Sequence, residues 1–131
     1  MTIVLTRFTL RARLTRDDAE KIFLSTAPLY RGLSGLLRKH YLLSEDGLTA
    51  GAVYVWESRA EADKLYTNEW RQFVTEKYGS EPSVVFFDNL VTVDNTMNTP
   101  ITAASEGSTR LRNDDADSCV FLAESGSPWP R

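Results

Sequence analysis

Apolar residues in the first ten positions recur with a period of two. In TIVLTRFTL, Val4, Thr6, Phe8 and Leu10 fall on one side and Ile3, Leu5, Arg7 and Thr9 on the other, because side chains alternate along a strand. Both sides are mostly apolar, so neither face of this strand is suited to water. The period then lengthens. Thr15 followed by Asp18 forms a near capping box, its acidic residues favour the positive end of a helix dipole, Ala19, Ile22 and Phe23 form a buried stripe, and Pro28 ends the helix. GLSGLLRKHYLL predicts a second strand from Leu36 to Leu43, SEDG has turn chemistry, and GAVYVWE predicts a third strand from Gly51 to Glu57. Ser58 and Glu61 make an S-x-x-E box opening a second helix, along which Ala62, Leu65, Tyr66, Trp70 and Phe73 recur at helical spacing. Asn68 marks where that helix divides, Gly79 is its C-cap, and SVVFFDNLVTV supplies a fourth strand.

The order β-α-β-β-α-β defines an α+β fold of the ferredoxin-like kind, a four-stranded antiparallel sheet with two helices on one face. Its other face is left uncovered and too apolar to sit in water. Two copies facing each other across a two-fold axis cover both sheets and leave a cavity between sheet and helices. This domain spans residues 1–95. From Thr96 the chain becomes rich in Ser, Thr, Asp, Asn, Gly and Pro, and residues 96–131 read as a largely irregular tail whose one apolar stretch, CVFLA at 119–123, is suited to docking.

A chain of 131 residues suits one core without metals or disulfides. Fifteen Lys and Arg against 18 Asp and Glu, with no basic run beyond Arg38-Lys39, point away from nucleic acid. The single Cys119 cannot form an internal disulfide, which suits a cytoplasmic protein. Arg7, Arg11 and Arg13 interrupt the N-terminal apolar residues well before the roughly 20 a membrane span needs, and the segment lacks the pattern of a cleaved leader.

Strand alternation sorts the candidate chemistry into two sets. Lys39 and Tyr41 share one face of the second strand and Arg38 and His40 the other, so only one pair faces the cavity. In the third strand, β-branched Val53 and Val55 are expected beneath the helices, which turns Tyr54 and Trp56 toward the cavity as aromatic walls for substrate. Trp70 joins them from the second helix, and Arg7, the only charge in the first strand, pairs with Glu57 or meets an acidic group of the substrate. His40, the only histidine, is a candidate base, since free imidazole titrates near pH 6.5. No H-x-x-x-H or C-x-x-C spacing is present, so no metal site is expected.

The segments GLLRKHYLLSEDG, GAVYVWESRAEA, YTNEWRQFVTEKYG and PSVVFFDNLVTVDN resemble, in order, the YdhR-like mono-oxygenase family of the dimeric α+β barrel superfamily, over residues 2 to about 95. The resemblance implies a homodimer that oxidises a hydrophobic aromatic or polyketide-like small molecule without metal, haem or flavin. It also favours Lys39 and Tyr41 as the pair facing the cavity, where a desolvated lysine stabilises a developing oxyanion, with His40 in reserve. An isomerase or cyclase would use the same residues, and a non-catalytic module would bind the same class of metabolite. Haem-degrading relatives carry a histidine in the second helical region, and EADKLYTNEWRQFVTEKYG has none.

Overall fold

In a computed structural model of the protein, residues 1–96 and the main chain of residues 102–103 are described. Strand β1 (Thr2–Thr9) leads through helix α1 (Arg16–Tyr30) to β2 (Leu36–Leu43) and β3 (Thr49–Trp56). Helices α2 (Arg59–Asp63) and α3 (Asn68–Tyr78) follow, then β4 (Ser83–Asp88) and the short pair β5 (Val91–Thr92) and β6 (Thr102–Ala103). The four long strands form one antiparallel sheet in the order β2-β3-β1-β4, an α+β arrangement compatible with a ferredoxin-like fold.

Local chemistry explains most boundaries. The Thr15 hydroxyl accepts from the Asp18 amide at 3.1 Å and the Ser58 hydroxyl accepts from the Glu61 amide at 3.2 Å, so both expected caps form. The second helix divides between Asp63 and Asn68, and Thr67 caps the new start by accepting from the Trp70 amide at 3.2 Å. Gly79 ends α3 in the left-handed region at φ 92°, where a side chain would be strained.

Strand β3 runs Thr49–Trp56, where Gly51 to Glu57 was expected, and two further boundaries differ more. Helix α1 does not stop at Pro28 but continues to Tyr30. The carbonyl that Pro28 leaves without a donor is that of Leu24, whose residue is exposed and can be solvated, while Tyr30 is buried and holds the last turn down. The fourth strand is also shorter. It leaves the sheet after Asp88, where the Asn89 side chain donates to the Thr92 hydroxyl at 2.9 Å, and Val91–Thr92 pair instead with Thr102–Ala103. The expectations for the tail beyond residue 96, CVFLA included, otherwise lie outside the described residues.

The core lies on one side of the sheet. Val4, Phe8, Tyr54 and Trp56 pack against Tyr30, Ala62, Trp70 and Val74 from the helices and Leu65 from the turn between α2 and α3. This reverses the expectation for β3: the aromatics, not Val53 and Val55, sit under the helices. The large rings fill the wide space between helices and sheet, each contributing about 1.5–3 kcal/mol or more by burial. The valines remain half-exposed on the opposite side with Ile3, Leu5, Val85 and Phe87. At Gly51 a Cβ would collide with the Thr6 carbonyl oxygen, so a side chain there would push β3 from β1.

Candidate functional site

Lys39 lies on edge strand β2 directly opposite Tyr54 of β3, and a bulge after Leu36 brings both Leu36 and Lys39 to the helix-covered side. Helix α1 supplies the facing wall. Its buried stripe runs Ala19, Phe23, Thr26 and Tyr30, and the last of these lies over the lysine. The Lys39 Nζ is 3.2 Å from the centroid of the Tyr30 ring, 3.9 Å from that of Tyr41 and 4.9 Å from that of Tyr54. Thr6 and Phe8 from β1, together with Trp70, Phe73, Val74 and Tyr78 from α3, complete the chamber, and among the described residues no carboxylate lines it.

The surrounding rings are fixed by one another. Trp70 Nε1 donates to the Tyr30 hydroxyl at 3.0 Å, Tyr78 stacks on Phe8 at 4.2 Å, and Tyr30 meets Tyr54 edge-on at 6.0 Å. Tyr41 stacks on Phe23 at 4.9 Å and shares a hydrogen bond of 2.9 Å with the Thr26 hydroxyl. Burial among these rings brings the Lys39 ammonium down to about 6, while the three ring faces favour the cation and act in opposition. Burial pushes the hydroxyls of Tyr30, Tyr41, Tyr54 and Tyr78 above their ordinary range, so all four keep their protons at neutral pH.

Free space inside the chamber is about 20 Å³, room for roughly one water molecule. Beside it opens a groove of about 1150 Å³ between the first turns of α1 and the turn joining β2 to β3, lined by Arg13, Arg16, Phe23, Leu24, Leu43 and Asp46 among others. Tyr41 borders both spaces. The turn is itself well built: the Asp46 carboxylate accepts from the Ser44 hydroxyl at 2.7 Å and the Leu48 amide at 3.0 Å.

Of the residues expected at the site, Lys39, Tyr41, Tyr54 and Trp70 converge on this chamber. Trp56 is buried nearby at 1% exposure, donating from Nε1 to the Tyr66 hydroxyl at 3.0 Å, but does not line the chamber. His40 and Arg7 point the other way, exposed on the open side of the sheet. The expected Arg7–Glu57 pair does not form. Arg7 is registered with Gly51, whereas Trp56, the residue before Glu57, pairs with Thr2 at the far end of β1. Tyr30, Thr26, Phe23 and Tyr78 were not anticipated. The signal for Tyr30 was its place eleven residues after Ala19 on the same helical stripe, hidden by reading Pro28 as the stop.

Among the described residues, no group of three or more His, Cys, Asp or Glu side chains is arranged to hold a metal ion, and no helix is long and apolar enough to cross a membrane. No model of a known protein family matches the chain, and no curated protein is significantly similar to it in sequence.

Proposed function

We propose that the protein is a homodimeric, cytoplasmic, ferredoxin-like enzyme that oxidises a hydrophobic aromatic or polyketide-like molecule with dioxygen and no bound cofactor, a mono-oxygenase of the YdhR-like kind. The observation that carries the reading is the Lys39 amine inside a chamber of tyrosine rings that, among the described residues, no carboxylate lines. At neutral pH such an amine is a base. It removes a proton from an activated CH2 flanked by an aromatic ring or carbonyl, the resulting carbanion lies beside the new ammonium, and dioxygen adds to that carbon. Loss of water leaves a ketone, so that one CH2 and one O2 give one C=O and one H2O. Tyr41, at the border of chamber and groove, admits the substrate by swinging from Phe23, because the chamber as it stands holds only about one water molecule.

The second copy covers the open face. That face presents Ile3, Leu5, Val53, Val55, Val85 and Phe87, with Phe87 50% and Val85 44% exposed. Four strands about 4.8 Å apart and about 20 Å long span roughly 400 Å² in projection. Light scattering of the wild type gives twice the chain mass, and Phe87→Glu, which places a carboxylate in that interface, gives the single-chain mass. A wild-type monomer at micromolar concentration removes the dimer from the reading.

Dioxygen uptake measured with an electrode against a panel of polycyclic phenols and their keto tautomers tests the activity. Uptake by the wild type that falls at least 100-fold in Lys39→Met supports it. Product formation without uptake assigns the chamber to isomerisation or cyclisation. Tight binding of the same compounds with no turnover, unaffected by Lys39→Met, makes the protein a binding module.

A further inference from the structure

Lys39 is more than a base. An amine that is uncharged, walled by apolar ring faces and reachable from a large groove is also a nucleophile toward carbonyl carbon. We propose that Lys39 forms a Schiff base with a hydrophobic aldehyde or ketone that reaches it from the groove past Tyr41, which makes carbonyl compounds the substrate class of this chamber. The inference rests on the reading of the chamber as a reaction site but does not require oxygen chemistry.

Three features of the geometry carry it. Among the described residues no carboxylate lines the chamber to hold the lysine as an ammonium: the rings of Tyr30 from α1, Tyr41 on its own strand and Tyr54 from β3 face Nζ, Tyr78 from α3 also lines the chamber, all four are neutral, and β1 contributes Thr6 and Phe8. An imine also requires a place for the water it releases, and the chamber has a void of that size. Finally, Tyr41 is the one described residue that lines both chamber and groove, so turning its ring away from Phe23 would join the two spaces.

The step balances. Nζ attacks the carbonyl carbon, the carbonyl oxygen takes both amine protons and leaves as one water, and a C=N bond remains. Protonation of that nitrogen acidifies the adjacent C–H. Loss of that proton gives an enamine, a carbanion equivalent that either reacts with dioxygen or takes a proton back at another position. The imine thus joins the oxygenase and isomerase readings at a common intermediate.

The chain contains only Lys21, Lys39, Lys64 and Lys77, and Lys21, Lys64 and Lys77 are exposed, which gives internal controls. Native protein is incubated at pH 7 with benzaldehyde and cyanoborohydride, and the reduced adduct is mapped by mass spectrometry of peptides. The expected result is labelling of Lys39 at least tenfold faster than any of the other three lysines, with the preference abolished in urea-unfolded chain. Labelling of Lys39 no faster than Lys21, Lys64 or Lys77 overturns the proposal. The comparison is made within one wild-type molecule, so no variant has to fold. Because trapping is independent of oxygen uptake, uptake without trapping refutes the imine and leaves the oxygenase standing, and trapping without uptake does the reverse.

Discussion

The two sides of the sheet are made from the same strands and have almost nothing else in common. The helix-covered side is aromatic and closes around a single amine. The open side is mostly aliphatic, built of Ile3, Leu5, Val53, Val55 and Val85 with the single ring of Phe87, and carries Arg7 and His40 exposed. Lys39 and His40, adjacent in the chain, therefore experience opposite conditions. A period of two means that one residue step changes a base from dehydrated to hydrated. Two side chains that sequence alone offers as alternatives for the same role are separated by the thickness of the sheet.

The largest expected contrast is between Trp70 and Phe87. Trp70 is 1% exposed, meets Tyr66 edge-on at 5.0 Å and holds the Tyr30 hydroxyl. Trp70→Ala should cost about 3–5 kcal/mol in urea denaturation, since the cavity cannot collapse around so many fixed rings. Phe87→Ala should remove under about 1 kcal/mol from the protomer fold, with any further loss growing as protein concentration is varied, the mark of an interface. Equal, concentration-independent costs would erase the distinction between the two sides.

Lys39→Met comes next and has the opposite sign. The folded-state value of about 6 lies below the ordinary 10.5, so between those pH values the unfolded chain binds the proton that the native chain lacks. Stability should therefore rise with pH across that window, by at most about 1.4 kcal/mol per pH unit. At pH 7 the buried amine is a liability, and replacing it with an apolar side chain of similar length should stabilise the protein by on the order of 1–3 kcal/mol. The variant's stability should vary less between pH 7 and 9 than the wild type's. A wild-type profile that is flat in that range, or a variant less stable at pH 7, would show that the three rings hold the ammonium charged.

How much of this was legible in the sequence depends on the range of the interaction. Caps and strand alternation are local, and Thr15, Ser58, Gly79 and the β1 alternation appear as read. The pairing of Lys39 with Tyr41 on one face followed from the same alternation, and Arg38 and His40 took the other. Which face each strand turns to the helices is not local. The propensity of valine for strands placed Val53 and Val55 inside, but volume decided, because the gap between helices and sheet is filled by Tyr54, Trp56, Tyr66 and Trp70. Tyr30, whose ring centroid is nearer the Lys39 Nζ than those of Tyr41 and Tyr54, lay behind a proline whose cost is small in a last turn exposed to water.

Tyr41→Phe sharpens the contrast within the chamber itself. It keeps the stack on Phe23 and the ring face toward Lys39 but deletes the hydrogen bond to Thr26. The expected loss is about 1 kcal/mol, the net value of one partly buried hydrogen bond. If Tyr41 guards the passage from the groove, the same substitution should speed the labelling of Lys39 by aldehyde, because the ring is freed to swing.

The smallest expected effect is also the one that decides between neighbours. His40 is exposed on edge strand β2, registered with Val53, with its side chain on the face opposite the chamber. Nothing buried depends on the imidazole, so His40→Ala should change stability by no more than about 0.5 kcal/mol. It should also leave oxygen uptake and aldehyde labelling within twofold of the wild type, since a base must come within about 3 Å of the proton it takes and the sheet stands between. Measured side by side with Lys39→Met, the pair isolates a single residue step along one strand. A tenfold loss of turnover in His40→Ala with folding and mass unchanged would move the chemistry to the open face, leaving Lys39 as an amine enclosed by tyrosines with no part in it.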